Sequence, residues 1–313
     1  MAHHENRTTP GITAYLRALR LPFATASIFP FLAGSFLPHS AFRGIKCMLG
    51  LGAALFTHLA ANLINDYADS KSGADWQDVN FYKFFGGSKL IQEGVFSEKF
   101  YLRFAIACGS FATLCVILLA VLLSNASIVI FYGIIVFLGF SYSHKPLQFS
   151  YRRMGEFIIF ILFGPTLVMG GYFIQTGKFP AIESFLVSLP FAFFTTAILF
   201  SNEIPDYETD IKVKKFTWVS ITGKSSAFIL YGVLMAAGFI SIASNIARGN
   251  LSLISLCSYL ALVPAVKAFS ILKGHYNDKV QLMRSSQLTI GVQVLTSIIM
   301  IIDIIKGQVH LIY

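Results

Sequence analysis

Asn62, Asn65, Asp66 and Asp69 close a long apolar run, and at 100° per residue they share about a 100° arc of one helix face. Oxygen-bearing side chains crowded at membrane depth are costly unless a cation neutralises them. A hard ion such as Mg²⁺ suits them, because it takes oxygen ligands and is commonly shared with substrate phosphates. Asp75, Asp78, Glu93 and Glu98 follow in the next stretch. A second cluster, Asn202-Glu203-Ile204-Pro205-Asp206-Tyr207-Glu208-Thr209-Asp210, closes another apolar run. Asn202, Asp206 and Asp210 recur every four residues and drift slowly across one helix surface. Pro205 is expected to kink or end that helix. Two facing clusters of this kind suggest a metal-bridged diphosphate site.

Other polar groups sit between and beside the clusters. Phe84-Phe85-Gly86-Gly87-Ser88-Lys89 mixes a glycine pair, a hydroxyl and a cation. Backbone N–H groups of Gly-rich turns and a nearby ammonium hold phosphate oxygens. Tyr142, Ser143 and Lys145 offer two hydroxyl donors and a cation where another apolar run ends. Lys212, Lys214 and Lys215 follow the second cluster and either contact phosphate or mark the membrane side. Glu156, near Arg152 and Arg153, is expected to form an ordinary ion pair. Gly164-Pro165 and Gly170-Gly171 are expected to serve close packing and a kink.

The elements that must position these residues are long apolar helices. Of 313 residues 55% are hydrophobic and 12% charged, with 31 Phe and a mean hydropathy of +0.68. A soluble domain of this size does not bury so much apolar surface. Several runs approach the roughly 20 residues that span a bilayer as a helix. A β-barrel would instead show alternating ten-residue segments. The chain is therefore expected to be an all-α polytopic membrane protein of one domain, 1–313, led by a cytoplasmic segment, 1–20. Nine helices are expected near 22–38, 45–66, 98–123, 126–142, 154–175, 180–203, 225–247, 250–272 and 286–305. Cys47, Cys108, Cys115 and Cys257 lack metal-ligand spacing and are expected to be small buried hydrophobes. The polar start shows no cleavable signal.

The net charge of +9 follows from orientation rather than nucleic-acid binding. With nine helices, all 24 Lys and Arg except Arg43, Lys46, Lys178, Arg248 and Lys306 fall on one side. That asymmetry places the richer side in the cytoplasm. Both acidic clusters lie there too. Asn65-Asp66-x-x-Asp69 and Asn202-Glu203-x-x-Asp206 repeat one pattern at the ends of even-numbered helices, which suggests two pseudo-repeated four-helix units.

At these residues the chain resembles the UbiA superfamily of intramembrane aromatic prenyltransferases. Within it the chain looks most like the menaquinone branch, the 1,4-dihydroxy-2-naphthoate polyprenyltransferases. The resemblance spans Arg20-Leu21-Pro22 to the ninth helix. It rests on Asn65-Asp66-Tyr67-Ala68-Asp69 with Gly73 and Asp75, on Gly86-Gly87-Ser88-Lys89, on Leu147 to Arg152, on Phe163-Gly164-Pro165 with Gln175-Thr176-Gly177, and on Asn202 to Asp210. It implies a nine-helix bundle that uses Mg²⁺ to transfer a polyprenyl group from a polyprenyl diphosphate to an aromatic acceptor, here 1,4-dihydroxy-2-naphthoate, with loss of CO₂.

By that resemblance Asp66, Asp69, Asp75, Asn202, Asp206 and Asp210 serve as metal ligands, with Asp66, Asp69, Asp206 and Asp210 catalytic. Asn62, Asn65, Lys89, Tyr142, Ser143, Lys145, Asn202 and Lys214 bind substrate. Lys89 stands where Arg is common, and Lys214-Lys215-Phe216-Thr217 replaces a more usual Gly-Lys-Arg-Thr. Rival acceptors are 4-hydroxybenzoate, homogentisate, a porphyrin-type ring and a glycerol phosphate. A cation transporter is the rival of another class, but transport would put the acids near the bilayer midplane. The implied location is a plasma membrane, with the site facing the cytoplasm and the isoprenoid tail among lipids.

Overall fold

A computed structural model describes residues 10–38 and 40–309, the last two by backbone alone. Among them the chain is helical, apart from one isolated backbone bridge between Arg152 and Phe216. In order come α1 (Ile12–Ala18), α2 (Leu21–Phe36), α3 (Gly44–Ser72), α4 (Glu98–Leu123), α5 (Ser127–Ser143) and α6 (Gly155–Thr176). Then follow α7 (Ile182–Glu203), α8 (Tyr207–Lys212), α9 (Val219–Thr222), α10 (Ala227–Ala247), α11 (Leu253–Gly274) and α12 (Lys279–Val309).

Seven of these, α3, α4, α6, α7, α10, α11 and α12, are long and apolar enough to cross a bilayer. The pair α1–α2 passes the same test together but bends by 48°, and the apolar α5 has 17 residues. The bend falls at Arg20, whose φ of 52° is left-handed. Leu21-Pro22-Phe23 then restarts the chain as a 3₁₀ turn. The first span therefore starts close to the expected 22, and the short helix α1 before it packs through Ala14, Ala18 and Leu19 on Leu59 and Leu63 of α3 and Tyr101 of α4.

Helix α3 runs to Ser72, past the expected end at 66, so Asp66 and Asp69 stand on a continuous rigid rod. It stops at Gly73, whose φ of +83° closes the helix at no Cβ cost. Helix α12 likewise starts at Lys279 rather than near 286, carrying a polar first turn into the bundle end. In α6 the segment Leu162–Thr166 forms a π-turn around Pro165, which cannot donate the normal backbone bond.

Small residues set how closely the helices approach. A Cβ on Gly34 would lie 1.9 Å from the Val168 carbonyl oxygen, and one on Gly171 would lie 2.5 Å from that of Phe31, so α2 and α6 touch backbone to backbone. Gly164 meets Ala192 of α7 in the same way. Gly170, grouped with these in sequence, instead faces open space. The main core joins α2, α6, α7, α10, α11 and α12 through Val168, Phe191, Phe194, Phe200, Tyr231 and Ile242. Cys47, Cys108 and Cys115 are buried, whereas Cys257 is exposed on α11, where the bundle would meet lipid.

Candidate active site

The end of α3 and the end of α7 reach one cavity of about 110 Å³. Its walls include Asn65, Asp69 and Asp75 from the first cluster and Asn202, Glu203, Asp206 and Asp210 from the second. The two clusters therefore meet at one end of the bundle. Lys89, Lys215, Arg20 and Tyr142 line the same space.

The glycine turn stitches the halves together. Gly86 N–H donates to Asp206 Oδ2 at 3.1 Å, and Ser88 N–H donates to Asp66 Oδ2 at 3.1 Å. Gly86 and Gly87 have φ of +73° and +77°, a left-handed conformation that lets the N–H groups of Gly86 and Ser88 reach carboxylates of the two clusters. A Cβ on Gly87 would lie 3.0 Å from an Asp75 oxygen, so the turn has no room for a side chain. Lys89 is 3% exposed and donates to Asp75 Oδ1 at 2.9 Å and to its carbonyl at 3.1 Å.

On the other side, Lys215 Nζ lies 3.4 Å from Asp210 Oδ1. Lys215 is delivered there by a strap: Phe216 N–H donates to the Tyr151 carbonyl, and Arg153 N–H donates to that of Phe216. Glu156 fixes the strap by accepting from the Trp218 N–H. Glu156 therefore makes no ion pair with its arginine neighbours; Arg152 donates to the Pro146 carbonyl and Arg153 to Ser220 Oγ. Tyr151 donates from its hydroxyl to Asp69 Oδ1 at 3.2 Å.

Electrostatically the cavity is an over-subscribed acidic site. Burial pushes Asp75 up to about 7, helped by the Asp69 and Asp66 carboxylates and opposed by Lys89. Burial also lifts Asp210 to about 7 against the pull of Lys215, with Asp206 and Asp69 adding repulsion. Burial alone would lower Lys215, but Asp210 and Asp69 hold it well above its ordinary value. Asp78 is held down at about 2: burial pushes it up, but its pair with Lys279 of α12 and the Asn80 N–H prevail.

Not every expected residue joins this cavity. Asp66 is 2% exposed and sits one layer behind, between Ser88 and Arg20, whose Nη1 is 3.5 Å away. Asn62 and Ser143 line an adjoining chamber instead: Asn62 donates to the Leu19 carbonyl, and Ser143 Oγ accepts from Asn65 Nδ2 at 3.0 Å. Lys145 and Lys214 are exposed and line none of the described cavities. Arg20 and Tyr82 are lining residues that motif spacing did not single out, and Glu203, Asp78 and Lys215, named in the acidic stretches and the basic run, line it too. Arg20 was visible only as a basic residue before the first apolar run, whereas Lys215 was one of three lysines expected either to contact phosphate or to mark the membrane side.

The donor set fits a hard divalent ion. Asn202 Oδ1, Glu203 Oε2 and Asp210 Oδ2 are buried in this wall without a hydrogen-bond partner, so oxygen acceptors outnumber the donors that face them. Among the described residues no three His, Cys, Asp or Glu side chains converge closely enough to hold an ion unaided. An ion here would therefore complete its shell with water or phosphate oxygens, as Mg²⁺ commonly does.

The model of the UbiA prenyltransferase family matches residues 27–288. Human UbiA prenyltransferase domain-containing protein 1 is 29% identical over 229 residues, 71% of this chain and 64% of that protein. The chain thus spans somewhat less than two thirds of that relative's length. The 1,4-dihydroxy-2-naphthoate octaprenyltransferase of Bacillus subtilis is 30% identical over 255 residues, 78% of each chain. Among solved structures, the apo UbiA homolog of Aeropyrum pernix K1 superposes with a TM-score of 0.70 at 16% identity, covering 89% of this chain and 97% of that one. A UbiA homolog of Archaeoglobus fulgidus bound to GPP and Mg²⁺ superposes with a TM-score of 0.60 at 15% identity, covering 92% and 99%. These superpositions establish a shared fold.

Proposed function

The chain belongs to the UbiA prenyltransferase family, and from that footing we propose that it transfers a polyprenyl group from an allylic diphosphate to 1,4-dihydroxy-2-naphthoate, releasing diphosphate and CO₂. The observation that carries the reading is the single cavity walled by both acidic clusters and entered by Lys89, Lys215 and Arg20. Divalent cations balance the acidic part of such a wall, and a diphosphate is the ligand that bridges them to the Lys89, Lys215 and Arg20 side. The name of the Bacillus relative supports the acceptor.

Asp69, Asp75, Asn202, Asp206 and Asp210 would hold Mg²⁺, which when bound acts as a Lewis acid and makes the diphosphate a better leaving group. Lys89 and Lys215, paired with Asp75 and Asp210, turn their donors to the phosphate oxygens. The Gly86–Gly87 turn presents backbone N–H groups beside them. Asp66 holds that turn and Arg20 in place from behind. Tyr142 and Asn202 line both this cavity and the adjoining chamber, so the allylic carbon and the acceptor ring meet there. The chamber's Phe23, Ile159, Leu162, Phe163, Ile198 and Leu199 exclude water from the allylic cation. Asn65 steers Ser143, and Asn62 steers the start of the first span through Leu19. Lys145 and Lys214 belong to the positively charged cytoplasmic face.

In this reading residues 1–313 form one membrane domain with residues 1–20 in the cytoplasm. Nine spans arise when the bent pair and α5 are counted with the seven long helices, arranged as two related four-helix units. Purified protein supplied with Mg²⁺, geranylgeranyl diphosphate and each rival acceptor tests the proposal. The expected product is the prenylated naphthoquinol alone, abolished by EDTA. Full turnover in an Asp69→Ala/Asp206→Ala double variant would refute the site.

A further inference from the structure

The chamber beside the diphosphate site is the first of a series. It shares Arg20, Asn65, Tyr142, Leu199 and Asn202 with the site cavity. At its inner end His58 and Phe163 meet edge-on at 4.9 Å, and both also line an apolar inner chamber of about 200 Å³. Phe31, Gly50 and Ile174 close that chamber: a Cβ on Gly50 would lie 2.3 Å from the Phe31 ring and 2.7 Å from Ile174.

Helix α3 measures the depth. Asp66 to Gly50 is about 24 Å along the axis, and Asp66 to Thr57 about 13 Å, at 1.5 Å per residue. An isoprene unit adds four carbon–carbon bonds of about 1.5 Å, which project to roughly 5 Å when extended. The closed path therefore holds about five units, and a longer tail has to leave it.

One way out stands partway along it, at the depth of Thr57. Outside the inner chamber, α4 and α5 flank a lipid-facing groove of about 530 Å³, floored by Ala60, Ala61 and Ile64 of α3. Its rim residues Ile106, Leu114 and Phe140 are exposed. Thr57 and Tyr132, with Ala61, Ile135 and Gly139, line both the groove and the inner chamber, so the wall between them is one residue thick. The two hydroxyls share a hydrogen bond of 3.3 Å, and Thr57 also donates to the Ala53 carbonyl. Two hydroxyls meeting in an otherwise apolar wall form a contact that a rotamer change of Tyr132 breaks at the cost of one neutral hydrogen bond.

Resting on the prenyl-transfer reading, we propose that Thr57 and Tyr132 form a gate through which prenyl donors too long for the inner chamber pass their tails into the groove between α4 and α5. The groove then sets how well long donors are used, and the inner chamber sets the use of donors near five units.

Two glycines separate the paths. Gly109 lines only the groove and Gly170 only the inner chamber, and an added Cβ meets nothing within 4 Å at either, so larger side chains fill space without disturbing the fold. The experiment compares kcat/KM for three-, five- and eight-unit prenyl diphosphates in the full chain, the unaltered protein beside Gly109→Leu and Gly170→Leu. Gly109→Leu is expected to lower the eight-unit to three-unit ratio about tenfold or more, with the three-unit donor unchanged as the internal check of folding. Gly170→Leu is expected to depress only the five-unit donor. An unchanged ratio in Gly109→Leu, or an equal loss of the eight-unit donor in Gly170→Leu, overturns the gate while leaving prenyl transfer intact. No transfer from any donor by the unaltered protein would overturn the prenyl-transfer reading, and the gate with it.

Discussion

Lys214 and Lys215 are adjacent in sequence and opposite in surroundings. Lys214 points into solvent, whereas Lys215 reaches Asp210 and the site cavity because the Tyr151–Phe216 backbone pairing turns it inward. Lys215→Gln is therefore expected to cost about 1.5–3 kcal/mol of diphosphate binding, roughly 10–150-fold in kcat/KM. Lys214→Gln should stay within about twofold, as for an exposed charge. Steady-state kinetics on both variants decides this, and equal losses would contradict the assignment. Asp75 and Asp210 give the site a pH dependence of defined sign. Their ordinary value of 3.8 rises to about 7 in the folded protein. Between these limits the folded chain without metal keeps protons that the unfolded chain has lost. The stability from these groups is thus complete below about pH 4 and is lost as pH rises through 7. Mg²⁺ binding needs the carboxylates free and should strengthen over the same interval. Calorimetric titration of Mg²⁺ with diphosphate at pH 6 and pH 8 should show the tighter binding at pH 8. Equal affinity at both would count against these two ligands.

Among the elements, α3 and α6 do the most positioning. Helix α3 carries acidic residues at its end, His58 and Thr57 in its middle and Gly50 at the chamber floor, so one rod orders the whole path. Helix α6 closes the opposite wall, and its π-turn places Leu162, Phe163 and Thr166 there. Its seat on α2 depends on Gly171, where a Cβ would lie 2.5 Å from the Phe31 carbonyl and 2.9 Å from Ser35 N. Gly171→Ala should therefore destabilise the bundle by about 1–3 kcal/mol through overpacking. Gly170→Ala, beside it but facing open space, should leave the thermal unfolding midpoint in detergent nearly unchanged. A Gly171→Ala midpoint equal to that of the unaltered protein would mean that the two helices have room to separate.

At the scale of the whole molecule, the bundle keeps its charged chemistry at one end and apolar space along its length. Asn80 and Lys212 are exposed beside the two clusters, and Lys178 is exposed in the short connection between α6 and α7. Single cysteines at these positions, in a background lacking Cys257, test the orientation. A membrane-impermeant thiol reagent should label Asn80→Cys and Lys212→Cys from the cytoplasmic side, and Lys178→Cys from the other. Labelling of Asn80→Cys and Lys212→Cys from opposite sides would separate the clusters and dismantle the site.

The all-helical class, most span positions and the two acidic tips were legible in the sequence because they depend on local quantities. Apolar run length fixes a span, and the angular period fixes which side chains share a helix face. Asn65 and Asp69 obeyed that rule on α3; the second helix breaks after Glu203, and Asp206 in the turn and Asp210 on α8 join Asn202 in the same cavity. Of the cations that enter this cavity Lys89 was legible from its glycine turn, whereas the arrival of Arg20 and the choice of Lys215 over Lys214 were not. Arg20 arrives through a bend with a left-handed backbone, and Lys215 through a strap pinned by Glu156 to Trp218. Asp66 shows the converse, since helix periodicity puts it beside Asp69 but cannot say that Ser88 and Arg20 wall it off from the cavity. The partners involved lie tens of residues apart in sequence, so only the close approach of helices and loops chooses them.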